Sequence, residues 1–362
     1  MRFKNLKAAA LASTASIAII LSGPARALTT EEILNYRGAD REQVLIEGAK
    51  KEGQVTFYCA LIVTQALRPL ADGFMKKYPF VKVNYWRGES EAIAQKLLAE
   101  QRSNNLQVDL VEGTGVGEIV VQQGYAERYY TPVIEELPKE YHDPRGLWTP
   151  TRLSYFGVGY NTRLVPADKV PKSYEDLLDP MWKGKLAWRI ESASGTPLFI
   201  TNLRVAWGEE KAMAYFKKLA EQKVVNFGSG SARTLVDRVI AGEYAMAMNI
   251  FAHHPLISKA KGAPSSSAML DPTPTTAGTM VVPKGVKRPH GAMMLVDFIL
   301  SKEGQGILAK AEYFPVRLDV PPIESIAPVV PKNAGVKGNF IGPEDLNKFN
   351  DSSETIYQDL FR

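Results

Sequence analysis

The sequence predicts an α/β protein of two lobes, each built on a mainly parallel sheet. Three observations carry this. From about residue 55 onward, β-branched and aromatic runs alternate with amphipathic runs of helical period, and their short links require right-handed crossovers onto a parallel sheet. The alternation restarts after the Gly-rich and aromatic stretch SYFGVGYNTRLVP, residues 154–166. A chain of 362 residues also exceeds what one hydrophobic core usually organises.

The first 27 residues stand outside that pattern. Arg2, Lys4 and Lys7 precede the small, apolar stretch AAALASTASIAIILSG, and Ala25-Arg26-Ala27 fits a small-residue cleavage site, so residues 1–27 read as a secretory signal. With its four basic residues set aside, 40 Lys and Arg face 39 Asp and Glu. The sequence pI near 9.0 therefore gives no reason to expect nucleic acid as a partner. No later run approaches the roughly 20 apolar residues that a membrane helix needs. Cys59 is the only cysteine, which excludes an internal disulfide and a cysteine zinc cluster. In VTFYCA it reads as a small buried hydrophobe.

Taken in order, VTFYCA (55–60) is a buried strand, TQALRPLADGFMKKY (64–78) a helix, VKVNYW (81–86) a second strand and SEAIAQKLLAEQR (90–102) a second helix. VDLVEG (108–113) supplies a third strand and GEIVVQQG (117–124) a short helix. Beyond the extended segment 154–166, KLAWRI (185–190) is a strand, and ESASGTPLFITNLRVAWG places Ser and Thr before an apolar helix with Pro in its first turn. AMAYFKKLAEQ is an amphipathic helix, VVNFGSGSARTLVDRVIAG a strand, loop and helix, and EYAMAMNIF (243–251) a buried strand. GTMVVPKG (278–285) is a further strand, followed by the helices PHGAMMLVDFILS and EGQGILAKAE. After Pro321 the chain turns Pro and Ala rich, then polar, as a packed or mobile tail ending in a short helix. The expected boundaries are 28–156 with 276–320 for the first lobe, 157–275 for the second, and 321–362 for the tail.

Ligands of such sheets bind at the carboxyl ends of the strands. In the first lobe those ends carry Thr64, then Arg87, Glu89 and Ser90, then Glu112 and Thr114. In the second they carry Arg189, Glu191, Ser192 and Ser194, then Ser231 and Arg233, then His253 and His254 in IFAHHPL. Hydroxyls and free N–H groups at helix starts suit a ligand oxygen, guanidinium suits a carboxylate or phosphate, and carboxylates suit a cation. Capping, solvation and local ion pairing are the ordinary alternatives. Two neighbouring histidines on a strand would face opposite sides, so a joint role requires a loop. Tyr160, on the crossover segment, is either a ligand contact or hinge packing.

FGVGYNT at the crossover, SYEDLLDPMWKGKLAW before the second-lobe strand, VPKGVKRPHGAMMLVDFILSKEGQ near the end and YFPVR at 313–317 occur in one order across about residues 50–318. With them the chain resembles the exported solute-binding proteins of ABC importers, of the two-lobed type II periplasmic class, and within it the ferric-iron-binding proteins. The resemblance implies α/β lobes joined by crossing strands and a small-molecule or metal-ion solute held in the cleft. It further implies a periplasmic protein without catalytic residues, no cofactor beyond a metal ion carried as cargo, and a membrane permease with its ATPase as partners. The family's iron site commonly uses an adjacent tyrosine pair where this chain reads IFAHHPL, and Fe(III) favours phenolate and carboxylate oxygen over imidazole. His253, Glu112 and Glu191 stand as candidate metal ligands, and a small anionic organic solute as the alternative cargo. Nothing reads as a coiled coil or dimer seam, so a monomer is expected. The rival class is an exported enzyme using His253 or His254 as general base, with Cys59 as its optional nucleophile and no G-x-S-x-G, H-E-x-x-H or Walker motif behind it.

Overall fold

In the computed structural model, residues 27–190, 195–228 and 231–362 are described. The predicted signal, up to residue 26, and the candidates Glu191, Ser192 and Ser194 lie outside the described residues. Two helices that the periodicity does not announce come first, α1 (Thr30–Leu34) and α2 (Arg41–Glu52). Thr29 and Glu32 cap α1 reciprocally, and Gly53 ends α2 in the left-handed conformation. The first lobe then alternates as predicted: β1 (Gln54–Cys59), α3 (Arg68–Lys77), β2 (Lys82–Arg87), α4 (Ser90–Arg102), β3 (Leu110–Gly113) and α5 (Val116–Gln122). The long strand β4 (Thr149–Asn161) leads into the second lobe. There follow β5 (Leu186–Trp188), α6 (Thr196–Trp207), α7 (Glu209–Ala220), β6 (Val225–Asn226) and α8 (Ala232–Ala241). The lobe is completed by β7 (Met246–Phe251), α9 (His253–Ala260) and β8 (Ser265–Ala268). β9 (Thr273–Val281) returns to the first lobe, with α10 (Pro289–Leu300), α11 (Lys302–Lys310) and β10 (Phe314–Pro315) behind it. The tail forms α12 (Pro331–Ala334), β11 (Gly338–Phe340) and α13 (Pro343–Phe361).

Strands run in the hydrogen-bonded order β2-β1-β3-β9-β4-β7-β5-β6. The two ends of this path are parallel: β1 with β2 and β3, and β5 with β6 and β7. The middle is antiparallel, through β9 on β3 and β4 and through β4 on β7 and β8. β4 serves both lobes, since Thr149–Tyr155 pair with β9 whereas Phe156–Asn161 pair with β7 and β8. β9 starts five residues before the predicted 278–285. The added residues Thr273, Thr275 and Thr276 are β-branched and buried, which suits them to a strand. Pro274 lies beyond the last β4 pairing at Thr275, so its missing N–H removes no bond to β4.

Each lobe has its own core. Phe57, Leu70, Phe74 and Phe298 anchor the first, and Trp182, Trp188, Phe199 and Phe216 the second. Tyr160 pairs with Met246 and Ser266 and packs against the second core. The tail is a folded strap: its last helix spans 19 residues, where the sequence suggests a short one. Leu346, Phe349, Ser353, Tyr357 and Leu360 recur at helical spacing and supply the inward stripe that its polar composition hides. The Phe361 and Trp188 rings meet at 4.7 Å, while at the other end Glu344 accepts from Arg145 at 2.5 Å.

Candidate functional site

The first wall of the site is built on β3 and β4. β3 is central and wholly buried, and it carries Glu112 into the interior with no solvent exposure. A carboxylate there must find partners. Its Oε1 accepts from Thr151 Oγ1 at 3.0 Å and lies 3.5 Å from Arg152 Nη2. Its Oε2 accepts from Cys59 Sγ at 3.2 Å and from the Ala60 N–H at 3.3 Å. Both oxygens are thus engaged by the protein, and Arg152 is the cation nearest to this carboxylate. The same burial pushes the Cys59 thiol well up, assisted by the Glu112 charge, so Cys59 is a thiol donor and no nucleophile.

Arg152 is the cation of this wall, and a search of strand ends passes over it. It is nearly buried on β4, where Nη1 donates to Thr114 Oγ1 at 3.3 Å and Nε has no hydrogen-bond partner. Its guanidinium lies 5.1 Å from the centre of the Tyr313 ring. Gly278 on β9 makes the space: a Cβ there would stand 2.6 Å from Arg152 Nη1 and 2.7 Å from Glu112 Oε1. The loop holding Thr114 turns at Gly115, φ 84°, into α5. Thr279 Oγ1 fixes that loop, accepting from the Gly117 N–H at 2.9 Å and donating to the Gly113 carbonyl at 3.2 Å. The available signal is one arginine inside the otherwise uncharged extended run TPTRLSYF.

The second wall comes from the end of β7. Asn249 adopts a left-handed φ of 49° at an irregularity in the β4–β7 pairing, and its Nδ2 donates to the Gly195 carbonyl at 2.7 Å. This ties the end of β7 to the start of α6. Two residues after β7 the chain enters α9, so His253 and His254 occupy a helix start where the sequence suggests a loop. Strand alternation no longer separates them, and their rings meet edge to face at 4.6 Å. Phe251 stands 5.9 Å from His253 and 5.2 Å from His254, and Phe314 of the first lobe stands 5.3 Å from His253. The Nδ1 atoms of both imidazoles are buried without a hydrogen-bond partner. Burial holds His253 well below the usual histidine range, with the charges of His254 and Arg152 acting the same way. Burial, Arg233 and Arg189 lower His254 to about 4. Both rings are therefore neutral at pH 7, surrounded by arginine charge from both lobes.

The other predicted residues divide. Arg189 is half-buried at the end of β5, and its carbonyl accepts from the N–H and Oγ1 of Thr196 at 2.9 and 2.5 Å. Arg233 pairs with Asp237 at 3.0 Å in partial exposure, yet its charge reaches His254. Ser231 caps α8 through the Thr234 N–H at 3.1 Å. Ser90 opens α4, and its Oγ would be 2.7 Å from a Cβ at Gly113. Arg87 and Glu89 form an exposed pair at 2.7 Å, and Thr64 is exposed. Among the described residues no three His, Cys, Asp or Glu side chains converge as metal ligands would. A 410 Å³ concavity between α2 and α10 lies in the first lobe beside the Arg41–Asp297 pair, on residues apart from both walls.

A family model described as bacterial extracellular solute-binding protein matches residues 107–337. An uncharacterised protein of Haemophilus influenzae is 28% identical over 275 residues, covering 72% of this chain and 77% of that protein. Iron uptake protein A1 of Synechocystis is 25% identical over 263 residues, covering 68% of this chain and 72% of that protein. Among solved structures, the periplasmic binding protein AfuA of Actinobacillus pleuropneumoniae, bound to fructose-6-phosphate, superimposes with a TM-score of 0.68 at 24% identity, over 86% of this chain and 99% of AfuA. That likeness shows the two-lobed α/β fold.

Proposed function

Since the chain belongs to the bacterial extracellular solute-binding proteins, we propose that it is the periplasmic binding component of an ABC importer whose cargo is a small organic anion. Arg152 of the first lobe and Arg189 and Arg233 of the second hold that anion, and the permease with its ATPase receives it. One observation carries the reading: Arg152 is a nearly buried guanidinium with an unpartnered Nε, a 3.3 Å contact to Thr114 and a 3.5 Å contact to Glu112. A buried cation so loosely satisfied is costly unless a further acceptor arrives, and a carboxylate or phosphate oxygen supplies one in the geometry that guanidinium prefers. Phosphate chemistry is also what the AfuA cargo carries. The iron cargo that the Synechocystis relative's name denotes fits less well, because the tyrosine pair is replaced and arginine charge repels Fe(III).

Binding follows from the shared strand. Because β4 hydrogen-bonds to one lobe through Tyr155 and to the other from Phe156, a rotation about that point brings the walls together without breaking either sheet. Closure is favoured to the extent that the anion binds the closed state more tightly than the open one.

Calorimetry with a panel of carboxylates, phosphate esters and ferric citrate tests this. Arg152→Met weakens anion binding at least about 100-fold, the effect of deleting a charge-assisted hydrogen bond in a desolvated site. The single variant leaves the Glu112 carboxylate buried and unpaired, so Glu112→Gln is added to restore the fold while binding stays abolished. Stoichiometric, coloured ferric binding with no response to any anion would overturn the reading.

A further inference from the structure

Resting on the anion reading, we propose that His253 and His254 select the cargo: the bound anion carries, beside its charged group, a hydroxyl that these two imidazoles hydrogen-bond. The geometry supplies the first reason. The Nδ1 atoms of both rings are buried with no partner in the protein, and His253 retains 6% exposure. Buried polar atoms in native proteins are overwhelmingly satisfied, so a pair of orphans on one wall points to a ligand group that satisfies them.

The rings are also fixed in advance. They stand edge to face on one another, with Phe251 beside both and Phe314 of the first lobe against His253. The backbone beneath them is tied by Ser258 Oγ to the His254 carbonyl, Ser265 Oγ to the Pro255 carbonyl and Ser267 Oγ to the Ala252 carbonyl. Such pre-set donors and acceptors lose little on binding.

Charge supplies the second reason. His253 is acted on by Arg152 on β4 and by His254, and His254 by Arg189 after β5 and Arg233 on α8. The nearby acids do not offset this, since Glu112 is shared among Arg152, Thr151, Cys59 and Ala60, and Asp237 pairs with Arg233. Cationic work therefore falls to the arginines. Each neutral imidazole keeps one N–H and one bare nitrogen. That pair of capacities matches a group that both donates and accepts, which a hydroxyl does and an ionised carboxylate does not. The cargo class is thus a hydroxylated carboxylate or a hydroxylated phosphate ester.

Matched pairs that differ by one or two hydroxyls test this by calorimetry at pH 7: malate against succinate, citrate against tricarballylate, and glycerol 3-phosphate against propyl phosphate. In the pair that binds, the hydroxylated member is expected to bind tenfold or more tightly, the effect of one buried hydrogen bond left unmade. The pair that responds decides between the carboxylate and phosphate forms of the class. His254→Phe and, separately, His253→Phe keep a ring and delete the nitrogens, and each should collapse the ratio toward one. Melting of the unliganded variants establishes that they fold, and the half-buried position 254 tolerates the change better than 253. Titration in two buffers of different ionisation enthalpy should show no proton taken up. Equal affinity within the binding pair, or uptake of about one proton per anion, would overturn the selection by imidazole and leave the anion reading standing. Failure of every anion to bind would instead overturn the anion reading, and this proposal with it.

Discussion

Glu118 lies in the first turn of α5, four residues beyond Thr114, buried, with Oε2 lacking any hydrogen-bond partner. Burial pushes its carboxyl up to about 7, and the Glu344 charge on α13 adds to this against the pull of its own backbone N–H. In the unfolded chain the same group ionises near 4.5. Because the folded value is the higher one, the folded state binds the proton more tightly. Its contribution is most favourable below about 4.5, declines as pH rises toward 7, and is constant above that. At about 1.4 kcal/mol per unit, the interval corresponds to a loss of at most about 3.5 kcal/mol at pH 8. Glu118→Gln keeps the shape and removes the titration. Melting of the two proteins from pH 4.5 to 8 should show curves that nearly coincide in acid and separate in base. The variant is then the more stable by up to about 3.5 kcal/mol, on the order of 5 °C for a chain of this size. Parallel curves across the range would refute the assignment of a buried, proton-holding carboxyl. Glu344→Gln should narrow the pH dependence by a smaller amount.

Two further changes test the walls and the strap. Gly278→Ala places a methyl group 2.6 Å from Arg152 Nη1 and 2.7 Å from Glu112 Oε1, so the ion pair must shift. A destabilisation of about 1–3 kcal/mol is expected by thermal melting, together with weaker anion binding by calorimetry. Phe361→Ala removes the ring that meets Trp188 at 4.7 Å and leaves the end of α13 loosely held. For a half-buried aromatic the cost is about 2 kcal/mol by denaturant titration, and tryptophan emission should shift to the red as Trp188 gains solvent.

The alternating lobes are legible because strands buried on both faces write themselves as apolar runs, as in VTFYCA and EYAMAMNIF. Short strands such as β8, β10 and β11 are not, since two to four residues become a strand only by pairing with β4 or β9. The candidate site is half legible for a similar reason. Position at a strand end is local information and finds His253, His254, Arg189 and Arg233. Arg152 is invisible to that rule because it lies within a strand, and what brings it to the wall is Glu112 forty residues earlier and a glycine at 278. Glu112 is found, but its role depends on Thr151, Cys59 and Ala60, which no spacing connects. The family follows from ordered motifs along the chain, whereas the cargo depends on which of the nearby charges neutralise one another.

The strap bears on how the cleft opens. α13 packs on α6 and α7 of the second lobe and also touches α5 of the first, so a rotation about β4 must disturb one of its two attachments. On the second-lobe side it buries Tyr357, shares the Thr201–Ser353 hydroxyl contact at 2.9 Å, accepts from Asn226 Nδ2 at the Phe361 carbonyl and packs Phe361 on Trp188. On the first-lobe side it holds Arg145–Glu344, with both side chains about half exposed, and a 3.5 Å contact from Trp148 Nε1. An exposed pair of that kind contributes about 0–1 kcal/mol, whereas burying aromatic side chains contributes several times more. The weaker attachment gives way first, so α13 travels with the second lobe and slides at its N-terminal end. Leu346 and Ile341 pack with Phe156 and Leu198 at the junction. The Glu118–Glu344 interaction lies on that sliding surface. The protonation state of Glu118 therefore acts on the same interface that closure must adjust, and its loop leads back within four residues to Thr114 and the guanidinium of Arg152.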